Sequence, residues 1–582
     1  MVALAESAGA AARLRNTVPG FLRARVECAP DAVAYRSREA NGSWSAMSWK
    51  AVESVVAATA RALKADGLAP GERVGIIAPN TAHWECLHLA TLAARGVVVG
   101  LDPHDLDARV GALIDGAGIT TLIAGDARLL AKVDAARQRR MRRIVLLDDA
   151  ASRTSRNAVA WHALRNAVTG DDRWDDSRPD DVATIIHTSG TTGAPKAIPH
   201  THRRLRVAVE ALLDVFADIG EESRLVSWLP MSGLFQRMVN LCACARGATT
   251  WFVDDPREIM ARVAEIQPHI FIGVPRFYEK LDRGIAERID AAPAGQRRLA
   301  RWGIATGARI ARARRGGGPR GTLKTIRHRA AEALVLRRIR EVMGGSIRYM
   351  ISGSAPMPLW LLDRFEAIGL PILEAYGVSE DTVPVAANRP GRARHGSVGQ
   401  PMPGNDVRIG EEGEIEVRGA GLFDGYLGQD RAASGIGPDG YYRTGDTGRF
   451  DDDGYLYLSG RRADAFKLST GRWIEPAEVE AAYRRIDYID QFVVVGRHRA
   501  SPAALIVVDA KGGSPIARAR IAADLAAAGS TLAHHQRIAR FEVLPGPLTI
   551  DNDELTSSLK LRRAVIEARY ADVIDRLYRD AP

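Results

Sequence analysis

A run of hydroxyl, glycine and lysine side chains after an apolar segment is the part of the sequence best suited to chemistry. The apolar segment 182–186 is rich in β-branched residues, which is typical of a buried strand that ends in a loop. Glycines in that loop let the backbone approach a ligand, and backbone amides can surround an anion. The loop residues concerned are Thr188, Ser189, Gly190, Thr191, Thr192, Gly193 and Lys196. They predict a cradle for phosphate groups.

This loop is not the common nucleotide-binding P-loop, because that motif needs its lysine directly after the second glycine, whereas here Ala194 and Pro195 intervene. The alternative to a phosphate cradle is an ordinary surface loop rich in serine, threonine and glycine. Apolar residues at helical spacing between Leu205 and Phe216 predict the order strand, loop, helix around it.

A second candidate site combines an aromatic ring with a carboxylate. Tyr376 beside Gly377 can form a wall for a flat base, and Glu380, just after Ser379, can hold Mg²⁺ against phosphates. The segment 351–356 precedes this pair and is typical of a strand that ends in a turn.

The elements that must position these residues follow from the hydrophobic pattern. Strand-like runs at 74–77, 96–99, 120–123 and 144–147 alternate with helical patterns such as 49–65, which predicts an α/β layer with a largely parallel sheet. Short strands and turns after Gly413 predict a small β subdomain.

Length and composition set the class of protein. A chain of 582 residues, 46% of them hydrophobic, is long enough for at least two domains with buried cores. The four cysteines form no pattern typical of disulfides or metal ligation and are expected in the core. No apolar run predicts a secretory signal or a spanning helix, so we expect a cytoplasmic protein.

The formal net charge of +10 is carried mainly by arginine, since only nine of the 80 basic residues are lysine. Arginines concentrate at 137–143 and at 297–340, where they alternate with aliphatic residues. The second segment predicts a peripheral contact with anionic lipid at the inner face of the membrane. The alternative is a solvated face. No DNA- or RNA-binding motif accompanies the charge, so we expect no nucleic-acid partner.

In this order the motifs resemble those of the adenylate-forming superfamily, which includes acyl-CoA synthetases, nonribosomal adenylation domains and luciferases. The run 187–196 resembles its AMP-binding signature, and 376–380 resembles its Tyr-Gly-x-Thr-Glu motif with serine for threonine. The segment 274–276 and the tail around Lys560 resemble the long-chain fatty-acyl-CoA synthetases. The resemblance extends over about residues 16–578.

The resemblance implies an ATP-dependent ligase that converts a hydrophobic, long-chain fatty acid into acyl-AMP with release of pyrophosphate, and then transfers the acyl group to CoA. It implies that Lys560 and Glu380 are catalytic, with Glu380 also as the Mg²⁺ ligand. It places ATP or AMP at the loop described above and at Ser354, Ala355, Pro356, Tyr376, Gly377, Ser379, Asp446 and Arg461. Within that set Tyr376 would flank adenine, and Asp446 would accept the ribose hydroxyls.

The resemblance also implies the domain organisation. A large N-terminal domain of layered α/β subdomains plus the small β subdomain, residues 1–461, would precede a small mobile α+β C-terminal domain, residues 462–582. The hinge residues would be Arg462, Ala463 and Asp464, and the CoA tunnel would pass Ser469, Thr470 and Gly471. The candidates for the acyl pocket are Trp228, Gly233, Leu234 and Phe235.

Several positions depart from the family pattern. Gly233 stands where long-chain synthetases carry histidine, and Gln236 stands where glutamate is common. Ala463 replaces the usual charged hinge residue, and Ala197 replaces a common glycine. None of these changes removes a group that would touch ATP, so adenylation is a firmer expectation than the identity of the acid.

Two other functions remain open. One is an acyl-AMP ligase that loads the phosphopantetheine of a carrier protein. The other is a non-catalytic binder of nucleotide or fatty acid, against which the joint retention of Glu380, Asp446 and Lys560 argues.

Overall fold

The computed structural model describes residues 16–148, 157–167, 174–187, 196–315, 322–486, 488–508, 516–555 and 561–579, with the backbone alone at 322–325. The predictions for residues 188–193 and for Lys560 therefore lie outside the described residues. No helix among the described residues is long and apolar enough to cross a membrane.

The strands, in chain order, are β1 (Val33–Arg38), β2 (Trp44–Ser48), β3 (Arg73–Ile77), β4 (Val97–Leu101), β5 (Thr121–Ala124), β6 (Arg143–Leu146), β7 (Ala158–Ala160), β8 (Val182–His187), β9 (Ala197–Thr201), β10 (Arg224–Ser227), β11 (Thr249–Phe252), β12 (Ile270–Gly273), β13 (Tyr349–Ser352), β14 (Ile372–Tyr376), β15 (Ala386–Ala387), β16 (Gln400–Pro401), β17 (Asn405–Ile409), β18 (Glu414–Gly419), β19 (Tyr442–Phe450), β20 (Leu456–Arg461), β21 (Phe466–Lys467), β22 (Trp473–Ile474), β23 (Ile489–Val495), β24 (Ala503–Val508) and β25 (Arg540–Val543).

The helices are α1 (Pro19–Cys28), α2 (Trp49–Ala65), α3 (Ala82–Ala93), α4 (Asp107–Ala117), α5 (Ala127–Leu130), α6 (Ala135–Arg140), α7 (Trp161–Asn166), α8 (His202–Val215), α9 (Leu234–Arg246), α10 (Ile259–Ile266), α11 (Pro275–Asp290), α12 (Ala294–Arg315), α13 (Thr322–Ala331), α14 (Arg337–Arg340), α15 (Leu359–Ala367), α16 (Pro476–Tyr483), α17 (Arg518–Ala528), α18 (Arg563–Arg569) and α19 (Ala571–Arg579). A π-helical turn, Glu332–Leu336, joins α13 to α14.

The chain folds into two compact units. The first contains the described residues before 188 together with Lys196–Asp406 and Arg418–Ile436. The second contains Val407–Val417 and the described residues from Gly437 onward.

The first unit is built on a seven-stranded sheet of order β7-β6-β5-β3-β4-β8-β9. Its neighbours pair in parallel except β8 and β9, which are antiparallel. Alternate residues enter two hydrophobic cores, since Ile76 joins one core and Ile77 the other. This burial on both faces is the reason that the strands are apolar runs rather than alternating ones. The predicted α/β layer with a largely parallel sheet is therefore present.

Two further sheets complete the first unit. One has the order β10-β11-β1-β2 and the other β12-β13-β14-β15-β16. In the second of these, β12, β13 and β14 are parallel, so their carboxyl ends lie at the same edge of the sheet. That edge carries the turn after β13 and Tyr376 at the end of β14.

The structure corrects two details of the sequence prediction. The order after the glycine-rich loop is strand, loop, strand, helix, because β9 returns antiparallel to β8 before α8 begins. Ile198 and His200 on β9 are fully buried, which explains why this short segment forms a strand despite Pro199. Among the cysteines Cys28 is exposed, and the other three are buried as expected.

The second unit holds three sheets, of order β17-β18-β19-β20, β21-β22 and β23-β24-β25. The first of them is the predicted small β subdomain, with β18, β19 and β20 antiparallel. The third packs against α16 and α17 around a core that includes Tyr483 and Phe492, whose rings stack with centroids 4.8 Å apart.

Candidate functional site

Three side chains from distant parts of the first unit converge near the end of β14. The Tyr426 hydroxyl donates a 2.7 Å hydrogen bond to Oε1 of Glu380. The Nζ of Lys196 lies 4.5 Å from the centroid of the Tyr426 ring. Glu380 and Tyr426 are buried, whereas Lys196 is exposed. The arrangement brings a fixed carboxylate and an exposed cation to one aromatic side chain.

The backbone around Glu380 is fixed by the strand that the sequence analysis missed. The fully buried His200 on β9 donates from Nε2 to the carbonyl oxygen of Ser379 at 2.8 Å, because a carbonyl can only accept. Burial lowers the pKa of His200 to about 4, so the ring is neutral at neutral pH. On the other side of Glu380, the Thr382 hydroxyl donates to the carbonyl of Arg204 at 3.0 Å. The two bonds hold the glutamate backbone against β9 and α8.

The turn after β13 carries the predicted nucleotide contacts Ser354, Ala355 and Pro356, which are all exposed. Ser354 has a φ of 73°, in the left-handed region that non-glycine residues rarely adopt. Glu374 on β14 anchors this turn, since its Oε1 accepts from the backbone amide of Met357 at 3.0 Å. Burial raises the pKa of Glu374 to about 7. Strained backbone held by a buried side chain is frequent in ligand sites.

The candidate acyl wall is the loop Trp228–Gly233, between β10 and α9, and it is held by buried side chains. Oε1 of Gln236 accepts from the amides of Trp228 and Leu229 at 3.2 and 3.1 Å. Asn80 donates to the carbonyl of Leu229 and accepts from the amide of Met231. These side chains therefore bind both donors and acceptors of the loop backbone. These bonds fix the backbone of the predicted acyl wall.

Arg237 connects this wall to the central sheet. Its Nε donates to the carbonyl of Gly233 at 3.3 Å, and its Nη1 donates to the hydroxyl of Thr184 on β8 at 2.8 Å. The guanidinium is fully buried, and burial lowers its pKa to about 10 while the nearby Glu85 carboxylate opposes that shift. No sequence pattern indicates a role for Arg237, Asn80, His200 or Tyr426.

Aromatic rings and glycines shape the space beside the wall. The Trp228 ring lies with its centroid 5.2 Å from that of Phe277 on α11 and donates from Nε1 to the carbonyl of Ile272 at 2.8 Å. Phe235 lies against the turn after β13, because a Cβ added to Gly353 would be 3.4 Å from its ring. A Cβ added to Gly233 would meet only the Pro230 carbonyl, at 3.6 Å. The acyl candidates Trp228, Gly233, Leu234 and Phe235 thus lie on one loop and at the start of α9, and position 233 has room for a Cβ atom.

In the second unit the predicted ribose ligand is paired with its predicted neighbour. Asp446 on β19 lies opposite Arg461 on β20, and Arg461 Nε is 3.2 Å from Asp446 Oδ1. Asp446 is buried and Arg461 is exposed. The carboxylate of Asp446 is therefore kept in place by its ion pair with Arg461.

The predicted hinge and tunnel residues also lie in the second unit. Arg462 donates to Glu414 at 3.3 Å, Ala463 is exposed, and Asp464 lies 3.6 Å from Arg563 Nε. Ser469, Thr470 and Gly471 lie in the connection between β21 and β22, where Gly471 has a φ of 84°. These assignments remain predictions.

Comparison with known proteins agrees with the family resemblance and with the fold class. A family model described as AMP-binding enzyme matches residues 22–427, and one described as AMP-binding enzyme C-terminal domain matches residues 463–582. The long-chain-fatty-acid–CoA ligase FadD15 of Mycobacterium bovis is 29% identical over 94% of this chain and 95% of its own. The long-chain-fatty-acid–CoA ligase 1 of Cavia porcellus is 27% identical over 93% of this chain and 84% of its own.

A solved structure extends the comparison to the fold. The anthranilate CoA ligase AuaEII, solved with anthranoyl-AMP, superimposes with a TM-score of 0.76 at 18% identity, over 96% of this chain and 98% of its own. The predicted fold class, a mixed α/β fold with a large N-terminal and a smaller C-terminal domain, is confirmed.

Proposed function

Since the chain belongs to the AMP-binding enzyme family, we propose that it is an AMP-forming acid–thiol ligase that activates a long-chain fatty acid and transfers the acyl group to CoA. The observation that carries this proposal is the group formed by Lys196, Tyr426 and Glu380, on a chain that the two ligases match over nearly its whole length. Such a group suits a reaction at the phosphates of ATP, because the cation can bind phosphate oxygens and the fixed carboxylate can hold Mg²⁺.

In the first half-reaction the fatty carboxylate oxygen attacks the α-phosphate of ATP, and pyrophosphate leaves. Negative charge develops on the phosphate oxygens, so catalysis consists mainly of positioning and charge stabilisation. In this proposal the exposed ammonium of Lys196 holds phosphate oxygens. Lys560 would contact the α-phosphate and the attacking carboxylate, as the family resemblance implies.

The residues around Glu380 fit a magnesium ion. Tyr426 occupies Oε1, which leaves Oε2 for a cation, and Mg²⁺ commonly takes only one or two carboxylates beside phosphates and water. When bound there, the ion would neutralise negative charge on the phosphates of ATP. The protein's own part is to hold the glutamate in place through Tyr426 and through the bonds of His200 and Thr382.

In the second half-reaction the thiol of CoA loses its proton to solvent, its sulfur attacks the acyl carbonyl carbon, and AMP leaves with the bonding electron pair. We propose that residues 462–582 move as a unit about Ala463 between the two steps, with residues 1–461 as the other domain. Arg461 and Arg462, which precede this position, hold Asp446 and Glu414, so they would stay with the β subdomain when the linker turns.

A carrier-protein phosphopantetheine is the alternative acceptor. The observation that favours it is Trp473, which is 60% exposed close to the predicted tunnel residue Gly471. Exposed tryptophan is a frequent anchor in protein interfaces. Thioester formation with CoA and with a phosphopantetheinylated carrier protein, measured side by side, distinguishes the two acceptors.

The test of the proposed function is pyrophosphate release with a panel of acids, ATP and Mg²⁺. Lys560→Ala should lower the rate of release about 100- to 1000-fold, as expected for loss of one charge-stabilising donor, while thioester formation from supplied acyl-AMP survives. Lys280→Ala, at an exposed lysine on α11, is the matched control. Equal loss of both half-reactions in a folded Lys560→Ala protein would make this lysine structural, and release with no acid would overturn the proposal.

A further inference from the structure

We propose that a basic helical pair docks the protein onto an anionic lipid surface. The first helix of the pair is α12, and the second is the continuous segment formed by α13, the π-helical turn and α14. The inference rests on the proposed function only for what docking would deliver, namely a fatty acid that resides in the bilayer. The surface itself is defined by exposed residues of these helices.

The first helix of the pair exposes a stripe of arginines. Arg298, Arg301, Arg309 and Arg312 are all exposed and recur at helical spacing on α12. Arg301 pairs with Asp290 at 2.9 Å. The other three form no ion pair with a carboxylate in the part of the chain that the structure describes. Their charges are available to an external partner.

The opposite face of α12 is fixed against the protein by glycines. A Cβ added to Gly303 would come within 2.7 Å of Val335, and one added to Gly307 would come within 1.9 Å of the Ala367 carbonyl. An approach this close requires glycine at both positions, so α12 packs with its glycine face inward. The arginine stripe, on the other side, must face solvent.

The second helix adds aliphatic side chains to the charge. Ile326 on α13 is 60% exposed, and Leu334 in the π-helical turn is 51% exposed. Exposed arginines lie near each of them: Arg327, Arg329, Arg337 and Arg338, none ion-paired to a carboxylate among the described residues. This helical segment therefore exposes both aliphatic side chains and positive charge.

A lipid surface suits this combination better than other partners. An interfacial helix typically combines arginine or lysine with aliphatic residues that enter the headgroup region. A second copy of the chain would bring like-charged arginines together. A nucleic acid would engage the arginines alone, because its phosphates dominate binding and need no aliphatic contact.

The experiment measures co-sedimentation of the full chain with vesicles of phosphatidylcholine, alone or with about one third phosphatidylglycerol. The double variant Arg337→Gln and Arg338→Gln should weaken binding to anionic vesicles about 30-fold, since each arginine near an anionic surface contributes about fivefold. Ile326→Ser with Leu334→Ser should weaken it about tenfold or more, because each buried methylene contributes about fourfold. All four side chains are exposed, so the variants should keep the wild-type melting temperature.

The matched control neutralises two exposed arginines elsewhere, Arg203→Gln with Arg257→Gln, and changes the net charge equally. It should stay within about twofold of wild type. The proposal is overturned if the control loses as much binding as the arginine variant, or if wild type binds neutral and anionic vesicles equally. It is also overturned if Ile326→Ser with Leu334→Ser has no effect while duplex DNA competes with the vesicles, or if those serines instead abolish a dimer.

Vesicle binding is measured without catalysis, so its result does not depend on whether the proposed function is correct. If no acid is activated, the proposed function fails and vesicle binding still decides the docking inference. If the enzyme is active, the arginine variant should lose turnover of a fatty acid supplied in anionic vesicles and keep turnover of a short acid supplied in solution. Equal loss on both acids contradicts docking as the cause.

Discussion

Replacement of Tyr426 by phenylalanine isolates the hydroxyl that holds Glu380. The variant keeps the ring beside Lys196 and removes the 2.7 Å hydrogen bond to Glu380 Oε1. Both residues are buried, so water cannot easily replace the lost donor. A hydrogen bond to a charged group contributes about 1.5–3 kcal/mol, which corresponds to about 10- to 150-fold in rate or affinity.

The loss should fall on adenylation. We expect kcat/KM for pyrophosphate release to drop by about 10- to 150-fold in Tyr426→Phe and the apparent affinity for Mg²⁺ to weaken, with thioester formation from supplied acyl-AMP nearly unchanged. Tyr426→Leu also removes the ring, which should cost about another two- to fivefold, because a cation–π contact at an exposed lysine contributes about 0.5–1 kcal/mol.

The matched control is Tyr349→Phe, since Tyr349 donates a 2.6 Å bond to the Asp218 carboxylate elsewhere in the same unit. That variant should lose stability without loss of adenylation. Metal titrations of pyrophosphate release and thermal unfolding of both variants are the measurements. The reasoning is refuted if Tyr426→Phe matches Tyr349→Phe in activity, or if the two half-reactions of Tyr426→Phe fall equally.

Three further predictions concern the wall, the linker and acid stability. Gly233→His should fold normally, because a Cβ there meets only one carbonyl, and should shift turnover in an acid panel towards shorter chains; an unchanged profile would remove position 233 from the acyl pocket. Ala463→Pro should still release one equivalent of pyrophosphate but form little CoA thioester, because proline fixes φ and restricts Arg462; normal CoA turnover would move the hinge elsewhere. Burial lowers the pKa of His200 and of His202 to about 4, so the stability that their neutral rings contribute is complete above about pH 6.5 and is lost as the pH falls towards 4. Each histidine should lower the free energy of unfolding by about 2 kcal/mol when the pH falls from about 7 to 5. The urea midpoint, measured at both pH values, should therefore change less with pH in His200→Gln than in wild type.

The sequence predicts well what is encoded locally. Helix α2 occupies the whole of the predicted 49–65, because its apolar residues recur at helical spacing and Ser48 caps its start by accepting from the amide of Ala51. The central strands follow from β-branched runs that are buried on both faces. The pair formed by Tyr376 and Glu380 is recognisable because its two residues lie within one short motif.

The sequence does not predict what depends on distant contacts. Tyr426 lies 46 positions after Glu380, in a stretch whose own pattern does not indicate a ligand. Strand β9 contains Pro199 and resembles a loop, and only its pairing with β8 and the burial of Ile198 and His200 make it a strand. Asn80 reaches the acyl wall from 149 positions away.

The way in which the loop Trp228–Gly233 is held bears on how substrate range could change during evolution. Because Asn80, Gln236 and Arg237 bind the loop backbone, the side chains predicted to face the acid carry little of the loop's conformational stability. Substitutions at position 233 can then accumulate without loss of the fold, whereas substitutions at the three supporting positions would be purged. In a saturation library, substitutions at position 233 should therefore alter the preference for the acid, whereas substitutions at Asn80, Gln236 and Arg237 should give mostly insoluble protein. New specificities are then reachable by single substitutions.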